Sequence, residues 1–239
     1  MTQKRAGVLS GVIRLGERLL PLAIFIHCRP IRKELVKGIR TILDVGCGQG
    51  LVAAYGIRHK NVYLAGAEIF EPDLLIAQKR NAHDDYVLAD ARSLPFQAKS
   101  FDVVMCLELL EHLDKEEGLK LIRDAEEIAR RKVIIATPFG FLDTDPRSNR
   151  SRQDELNPYQ DHRGGWQPDE LKALGYKVYC NNYLHRLEEF LAARHSTWSW
   201  IMSTVIFTLL APLNWLSPRF GSHLFCVKNV GPEGASGGS

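Results

Sequence analysis

Glycine occupies every second position of Gly46-Cys47-Gly48-Gln49-Gly50, directly after the apolar run Thr41–Val45. A glycine inside a regular element costs about 0.5–1 kcal/mol relative to alanine, so three in five positions need a physical reason. Two reasons converge where a strand hands over to a helix. The turn demands unusual backbone angles, and a ligand lies against bare main chain. The spacing narrows the ligand. A pyrophosphate-cradling loop reads G-x-G-x-x-G, but here position 51 is Leu and the third glycine falls one residue early. The loop therefore departs from the dinucleotide pattern.

Further polar residues stand where apolar runs stop. Glu68 closes "VYLAGAE" (62–68), Asp90 closes "YVLAD" (86–90), and Glu108 with Glu111-His112 follows "FDVVMCL" (101–107). These runs, with "TILDV" (41–45) and "KVIIATP" (132–138), read as buried strands. Between them, 49–59, "PDLLIAQKRNA" (72–82) and "KEEGLKLIRDAEEIAR" (115–130) read as helices. A short helix at 168–175 and strands at 176–183 and 224–230 complete the series. Strand–helix alternation predicts an α/β fold with a mostly parallel, doubly wound sheet. Ligands of such sheets sit past the carboxyl ends of the strands, where the singled-out residues lie.

In that order and at those strand ends, the motifs resemble the class I S-adenosylmethionine-dependent methyltransferases, in particular the small-molecule type 11 group. The likeness runs over about residues 38–184 plus the last strand. Asp44 with the 46–50 loop is similar to the family's D/E-x-G-x-G-x-G, "ADARSLPF" (89–96) to its segment after strand three, and "FDVVMCLELLEHL" (101–113) to its strand-four motif. The resemblance implies a Rossmann-like seven-stranded sheet with the last strand antiparallel, and S-adenosylmethionine as cofactor. It implies cofactor contacts from Asp44, Gly46, Cys47, Gly48, Gly50, Glu68, Ile69, Asp90, Ala91, Leu107 and Glu108. Glu68 would accept both ribose hydroxyls, Asp90 the adenine amino group, and Asp44 would lie near the methionine end.

The implied reaction is in-line displacement at the methyl carbon, in which alignment supplies much of the rate. A hydroxyl acceptor needs a base near neutral pH, usually histidine. His112 and His162 are the catalytic candidates. His162 belongs to "NPYQDHRGGW" (157–166), which resembles a family segment closing over the acceptor. Tyr159, His162 and Trp166 are thus substrate-side candidates, against the alternative that the aromatics only anchor the segment. No metal is expected: Asp143, Asp145, Asp154 and Glu155 lack coordination spacing.

The chain has 239 residues, and its net charge of +3 is unevenly spread. Residues 1–40 hold nine Lys/Arg against Glu17 and Glu34. Five well-separated cysteines suit neither a zinc site nor a disulfide framework, and point to a reducing cytoplasm. "WSWIMSTVIFTLLAPLNWL" (198–216) is uncharged, with tryptophans near its ends. A single crossing there would separate two strands of one sheet, so the expectation is an interfacial hairpin or kinked pair of helices. The resulting division is a basic amphipathic arm (1–37), a methyltransferase domain (38–230) with an acceptor-side loop (139–166) and an apolar helical insertion (185–222), and a disordered tail (231–239). The insertion and arm suggest peripheral association with the inner face of the membrane, with a homodimer core as the alternative. No nucleic acid partner is expected. Competing functional readings are a nicotinamide-dependent reductase and a non-catalytic RNA- or lipid-binding relative.

Overall fold

The computed structural model describes residues 24–25, 28–35, 38–59, 61–140, 157–181 and 223–231. Seven strands form one sheet: β1 (Thr41–Val45), β2 (Tyr63–Glu68), β3 (Asp85–Leu88), β4 (Phe101–Leu107), β5 (Ala129–Pro138), β6 (Lys177–Asn181) and β7 (His223–Asn229), in the spatial order β3-β2-β1-β4-β5-β7-β6. The first five run parallel, while β7 is antiparallel to both its neighbours. This is the doubly wound sheet expected from the sequence.

Central strands of a parallel sheet are covered on both faces, and successive side chains sort them into two cores. Leu43, Val45, Val104, Cys106, Val133 and Ile135 face one layer. Ile42, Val103, Met105 and Ile134 face the other. Helix α3 (Lys115–Ile128) covers the first layer with Leu121, Ile122, Ala125 and Ile128. It opens on a capping box between Asp114 and Glu117, which satisfies amides the first turn leaves free. The helix ends two residues before the sequence pattern suggested, because Ala129 pairs with Phe101 and starts β5. Helix α4 (Pro168–Ala173) adds Leu171 to the same layer.

The second layer is closed by α1 (Arg29–Glu34), α2 (Glu71–Lys79) and the helical segment after the glycine loop, wound as a π-helix over Ala53–Ile57. Cys28 and Ile31 are buried there. A Cβ on Gly56 would lie 2.4 Å from the Cys28 sulfur, so glycine lets the two segments touch. Arg32 donates to the Gly56 carbonyl at 2.9 Å, and Lys132 pairs with Glu34 at 2.6 Å. The end of the basic arm is therefore part of the domain's own core. The rest of the arm (1–23), the insertion including 198–216, residues 141–156 with their four acids, and the tail from 232 lie outside the described residues. Among the described residues, no helix is long and apolar enough to cross a membrane.

At the opposite end from the glycine loop, Asp102 joins β1 to β4. Its carboxylate accepts from the Arg40 and Thr41 amides at 2.8 and 3.1 Å and pairs with Arg130 at 3.1 Å. Burial opposes the charge, yet these donors hold the carboxyl below its usual range. A folded-state value below the unfolded one means stability that is present at neutral pH and lost as pH falls through the acid range. Replacing Asp102 with Asn is expected to cost about 1–2 kcal/mol at pH 7, since a charge-assisted acceptor is lost. Urea unfolding at pH 7 and pH 3 checks it: the gap between native and variant should shrink at the lower pH.

Candidate active site at the carboxyl ends of the strands

The glycine loop leaves β1 and turns back over β2. The Gly46 and Cys47 amides donate to the Ala67 carbonyl at 2.8 and 3.1 Å. Gly46, Gly48 and Gly50 all have positive φ, at 70°, 50° and 71°. Their surroundings differ. A Cβ on Gly46 would meet the Leu109 side chain at 2.9 Å, and one on Gly50 would meet the Ala82 methyl at 2.4 Å. A Cβ on Gly48 would meet nothing within 4 Å. Two glycines admit the protein's own neighbours, and the middle one presents bare backbone to open space.

Glu68 ends β2 beneath that bare backbone and is 8% exposed. Its Oε2 accepts from Gly48 N, and its Oε1 from Ile69 N and Phe70 N, all at 2.9 Å. Burial pushes its carboxyl up while the three amides pull it down. A carboxylate offers about four lone-pair sites, two per oxygen. Oε1 is thus filled, and Oε2 keeps one position for an outside donor. The carboxylate fits one ribose hydroxyl as it stands; a second would have to displace an amide. Together with the bare Gly48 backbone, this suits a nucleoside lying across the loop.

The other cofactor-side candidates are distributed as follows. Ile69, Ala91 and Leu107 are half-buried around the strand ends. Asp90 is bound through both oxygens by the Arg92 guanidinium, at 2.6–3.0 Å, which holds its carboxyl below the usual range. Any adenine contact through Asp90 shares the carboxylate with Arg92. Asp44 is 3% exposed, and its carboxylate pairs with His83 Nε2 at 3.0 Å. It therefore supports the floor of the loop from below. His83 packs so closely on β2 that a Cβ on Gly66 would come within 3.0 Å of its ring. The Cys47 thiol is pushed far up by burial, then by the charges of Asp44 and Glu68, so it is inert at neutral pH.

The residues expected on the acceptor side stand past β4 and β5. Glu108 directly follows β4 with φ of 50°, a left-handed conformation that L-residues other than Gly, Asn and Asp seldom adopt. Its Oε2 lies 3.2 Å from His223 Nε2 on β7. Glu111 and His112 sit in the single 3₁₀ turn Leu110–His112. The Glu111 side chain is buried, accepts from the Thr137 hydroxyl at 3.0 Å, and hydrogen-bonds the Glu108 carboxyl. Burial, then the Glu108 charge, pushes Glu111 well above the usual carboxyl range. Burial lowers His112, which leaves its ring neutral at neutral pH.

Residues 157–166 form a strap over this edge. Asn157 is buried and donates to Asp73 at 3.2 Å, and Gln49 of the glycine loop reaches the same carboxylate at 3.0 Å. The Arg163 and Gly164 amides donate to the Glu111 carbonyl at 2.7 and 3.1 Å. Between these ties His162 comes to His112, their ring centroids 5.0 Å apart. Tyr159 is exposed. Trp166 is 1% exposed, donates to the Leu110 carbonyl at 3.3 Å and lies against Gly118, where a Cβ would come within 2.7 Å of its ring. Trp166 is thus the strap's anchor in the core and not a substrate-facing residue, since its surface is spent on the protein.

Sequence reasoning missed His83, Asp73, Thr137 and His223 as site supports. None carries a local signal; each is brought in by the sheet or by α2. Asn157 did have one, because it opens the same Asn-Pro-Tyr segment that placed Tyr159 and His162.

Gly48 and Gly50 separate by experiment. Gly50→Ala combines left-handed strain with a clash and should destabilise the fold by about 2–4 kcal/mol. Gly48→Ala should cost only the backbone strain, about 1–2 kcal/mol. Chemical denaturation of both variants checks the order, and equal losses would contradict the geometry.

A methyltransferase-domain model matches residues 43–136, the stretch from β1 to β5. Norajmaline N-methyltransferase of Rauvolfia serpentina is 27% identical over 149 residues, 60% of this chain and 45% of the relative. A ubiquinone biosynthesis O-methyltransferase of Azoarcus sp. (strain BH72) is 32% identical over 100 residues, 37% of this chain and 42% of the relative. The chain spans less than half the length of these curated relatives. A SAM-dependent methyltransferase from Archaeoglobus fulgidus shares the fold, with a TM-score of 0.52, 21% identity, and coverage of 85% of this chain and 93% of that one. The glycine loop, the acid at the tip of β2 and the strand order agree with the methyltransferase-domain match, so residues 43–136 form a methyltransferase domain of the class I S-adenosylmethionine-dependent type.

Proposed function

We propose that the protein transfers a methyl group from S-adenosylmethionine to a small molecule, a lipid or a lipid-linked glycan. The observation that carries this reading is the pairing of Gly48, whose backbone faces open space, with the Glu68 carboxylate beneath it. When bound, the cofactor supplies a methyl group already activated by its sulfonium. The chain's own residues then have to hold, align and deprotonate. The loop at 46–50, Glu68 with Ile69, and Asp90 with Ala91 hold the nucleoside side. Leu107 and Glu108 stand at the tip of β4, between that side and the histidines. His162, on the strap, takes the acceptor proton as general base, and the neutral His112 ring is the second base beside it. Tyr159, exposed on the same strap, meets the acceptor.

The names of the curated relatives, a norajmaline N-methyltransferase and a ubiquinone biosynthesis O-methyltransferase, support a small-molecule acceptor in general and include both nitrogen and oxygen chemistry. The membrane surface enters through the uncharged stretch 198–216 and the basic residues near the amino terminus, which together would give two anchoring signals. In this reading the enzyme works in the cytoplasm, at the inner face of the membrane.

Calorimetric titration tests the core of the proposal. Wild-type protein should bind S-adenosylmethionine, and Glu68→Gln should bind it at least tenfold more weakly while staying folded by circular dichroism. Glutamine keeps one acceptor for the three amides, which alanine would strand. Unchanged affinity would remove Glu68 from the site, and tight binding of a nicotinamide dinucleotide instead would favour a reductase. Liposome flotation with and without residues 198–216, bridged by Gly/Ser, tests the membrane part. Equal flotation of the two proteins would count against it.

A further inference from the structure

We propose that Glu111, His112 and His162 form a binding site for a divalent transition-metal ion of the zinc or manganese class, on the acceptor side of the strand ends. Each residue offers one ligand atom, and the three atoms lie within 4.8 Å of one another. Ligand atoms about 2.1 Å from one tetrahedral ion lie about 3.4 Å apart, so the cluster closes on an ion when its side chains together move in by about 1.4 Å or less. Two imidazoles and a carboxylate suit zinc, manganese or iron, whereas magnesium and calcium favour all-oxygen shells. Sequence spacing gave no such site, because His162 lies fifty positions after His112 and only the strap brings it back.

Three further observations support a built site. First, the ligands are held by backbone. Glu111 and His112 share one 3₁₀ turn, and the Arg163 and Gly164 amides tie the strap to the Glu111 carbonyl. Second, the outer partners are the kind that orient metal ligands. The Asp161 carbonyl, 3.3 Å from His112 Nδ1, can only accept a hydrogen bond. It therefore fixes the proton on Nδ1 and leaves the Nε2 lone pair free. Thr137 likewise fixes one oxygen of Glu111. Third, two carboxyls meet here: buried Glu111 hydrogen-bonds Glu108, and among the described residues no lysine or arginine pairs with Glu111. A divalent cation would take the place of the proton that holds the two together, since buried carboxylates are normally paired or bound to metal.

With the ion bound, His112 and His162 are its ligands and no longer bases, and the ion itself takes over activation of the acceptor. An oxygen acid bound to it loses its proton to solvent more readily, as metal-bound water does. The O–H bond breaks, the oxygen stays on the ion, and a nucleophilic oxygen stands beside the tip of β4. This use of the ion rests on the methyltransferase reading; the binding of the ion does not.

The test uses full-length, chelator-stripped protein titrated with zinc chloride, and separately with magnesium chloride, in the absence of S-adenosylmethionine. One zinc per chain is expected, with magnesium competing at least a hundredfold more weakly. His162→Gln and His112→Ala should each weaken zinc binding at least tenfold, with native circular dichroism, and exposed His59→Ala should not. Cobalt substitution gives a second readout, since visible d–d bands should be lost in His162→Gln. The proposal is overturned if zinc does not bind at one per chain, or binds as tightly to the histidine variants as to the native protein. Zinc binding without S-adenosylmethionine binding would sink the enzyme reading and leave the site standing.

Discussion

One carboxylate, Glu68, ties the site to the sheet. Its oxygens gather amides from two segments that the chain separates by twenty residues, Gly48 on the loop after β1 and Ile69–Phe70 after β2. Without it the loop would have to hold its left-handed glycines against solvent alone. With it, the bare backbone of Gly48 is fixed relative to the strand ends. The arrangement also sets a limit. Three of roughly four acceptor positions are occupied by the protein, so in the proposed function a nucleoside hydroxyl would draw on the same group that shapes the loop. The one open position is on Oε2.

Much of this was legible in the sequence because it depends on local rules. Strand-to-helix alternation predicts the sheet, and strand ends predict where to look. Gly46, Gly48, Gly50 and Glu68 stand where those rules place them. What was not legible depends on packing across the sheet. Asp44 looks, in sequence, like a residue for the positive end of a cofactor; only the fold reveals that the buried His83 takes its carboxylate. Trp166 reads in sequence as either a substrate-side aromatic or an anchor; only the slot that Gly118 leaves on α3 decides for the anchor. At the end of the arm before β1, Cys28 and Ile31 belong to the second core. Helix propensity cannot distinguish an apolar stripe that meets lipid from one that meets a sheet, since both are satisfied by burial.

The left-handed Glu108 shows how the tip of β4 is kept in place. Its amide donates to the Ala136 carbonyl at 2.8 Å, while its carboxyl meets His223 and Glu111. A conformation of this kind costs on the order of 1–3 kcal/mol and persists only where the surroundings over-determine it. Here the surroundings are three strands: β4, which it terminates, β5 through Ala136, and β7 through His223. The antiparallel last strand therefore does more than close the sheet. It delivers a histidine to the tip of β4, which a parallel strand in that position would carry away to the other edge.

The strap gives the two halves of the site a common support. At one end Asn157 and Gln49 share the Asp73 carboxylate, next to the glycine loop. At the other, the Glu111 carbonyl accepts two strap amides, and Trp166 is sunk between α3 and the 3₁₀ turn. A ligand that displaces Gln49 must work against Asp73, and through it against Asn157, the first described residue of the strap. A change at Glu111 acts on the strap from the opposite side. His162 lies between the two ties, so its distance from His112 depends on both. The geometry makes the position of His162 a joint property of the glycine loop and the 3₁₀ turn, although neither is its neighbour in the chain.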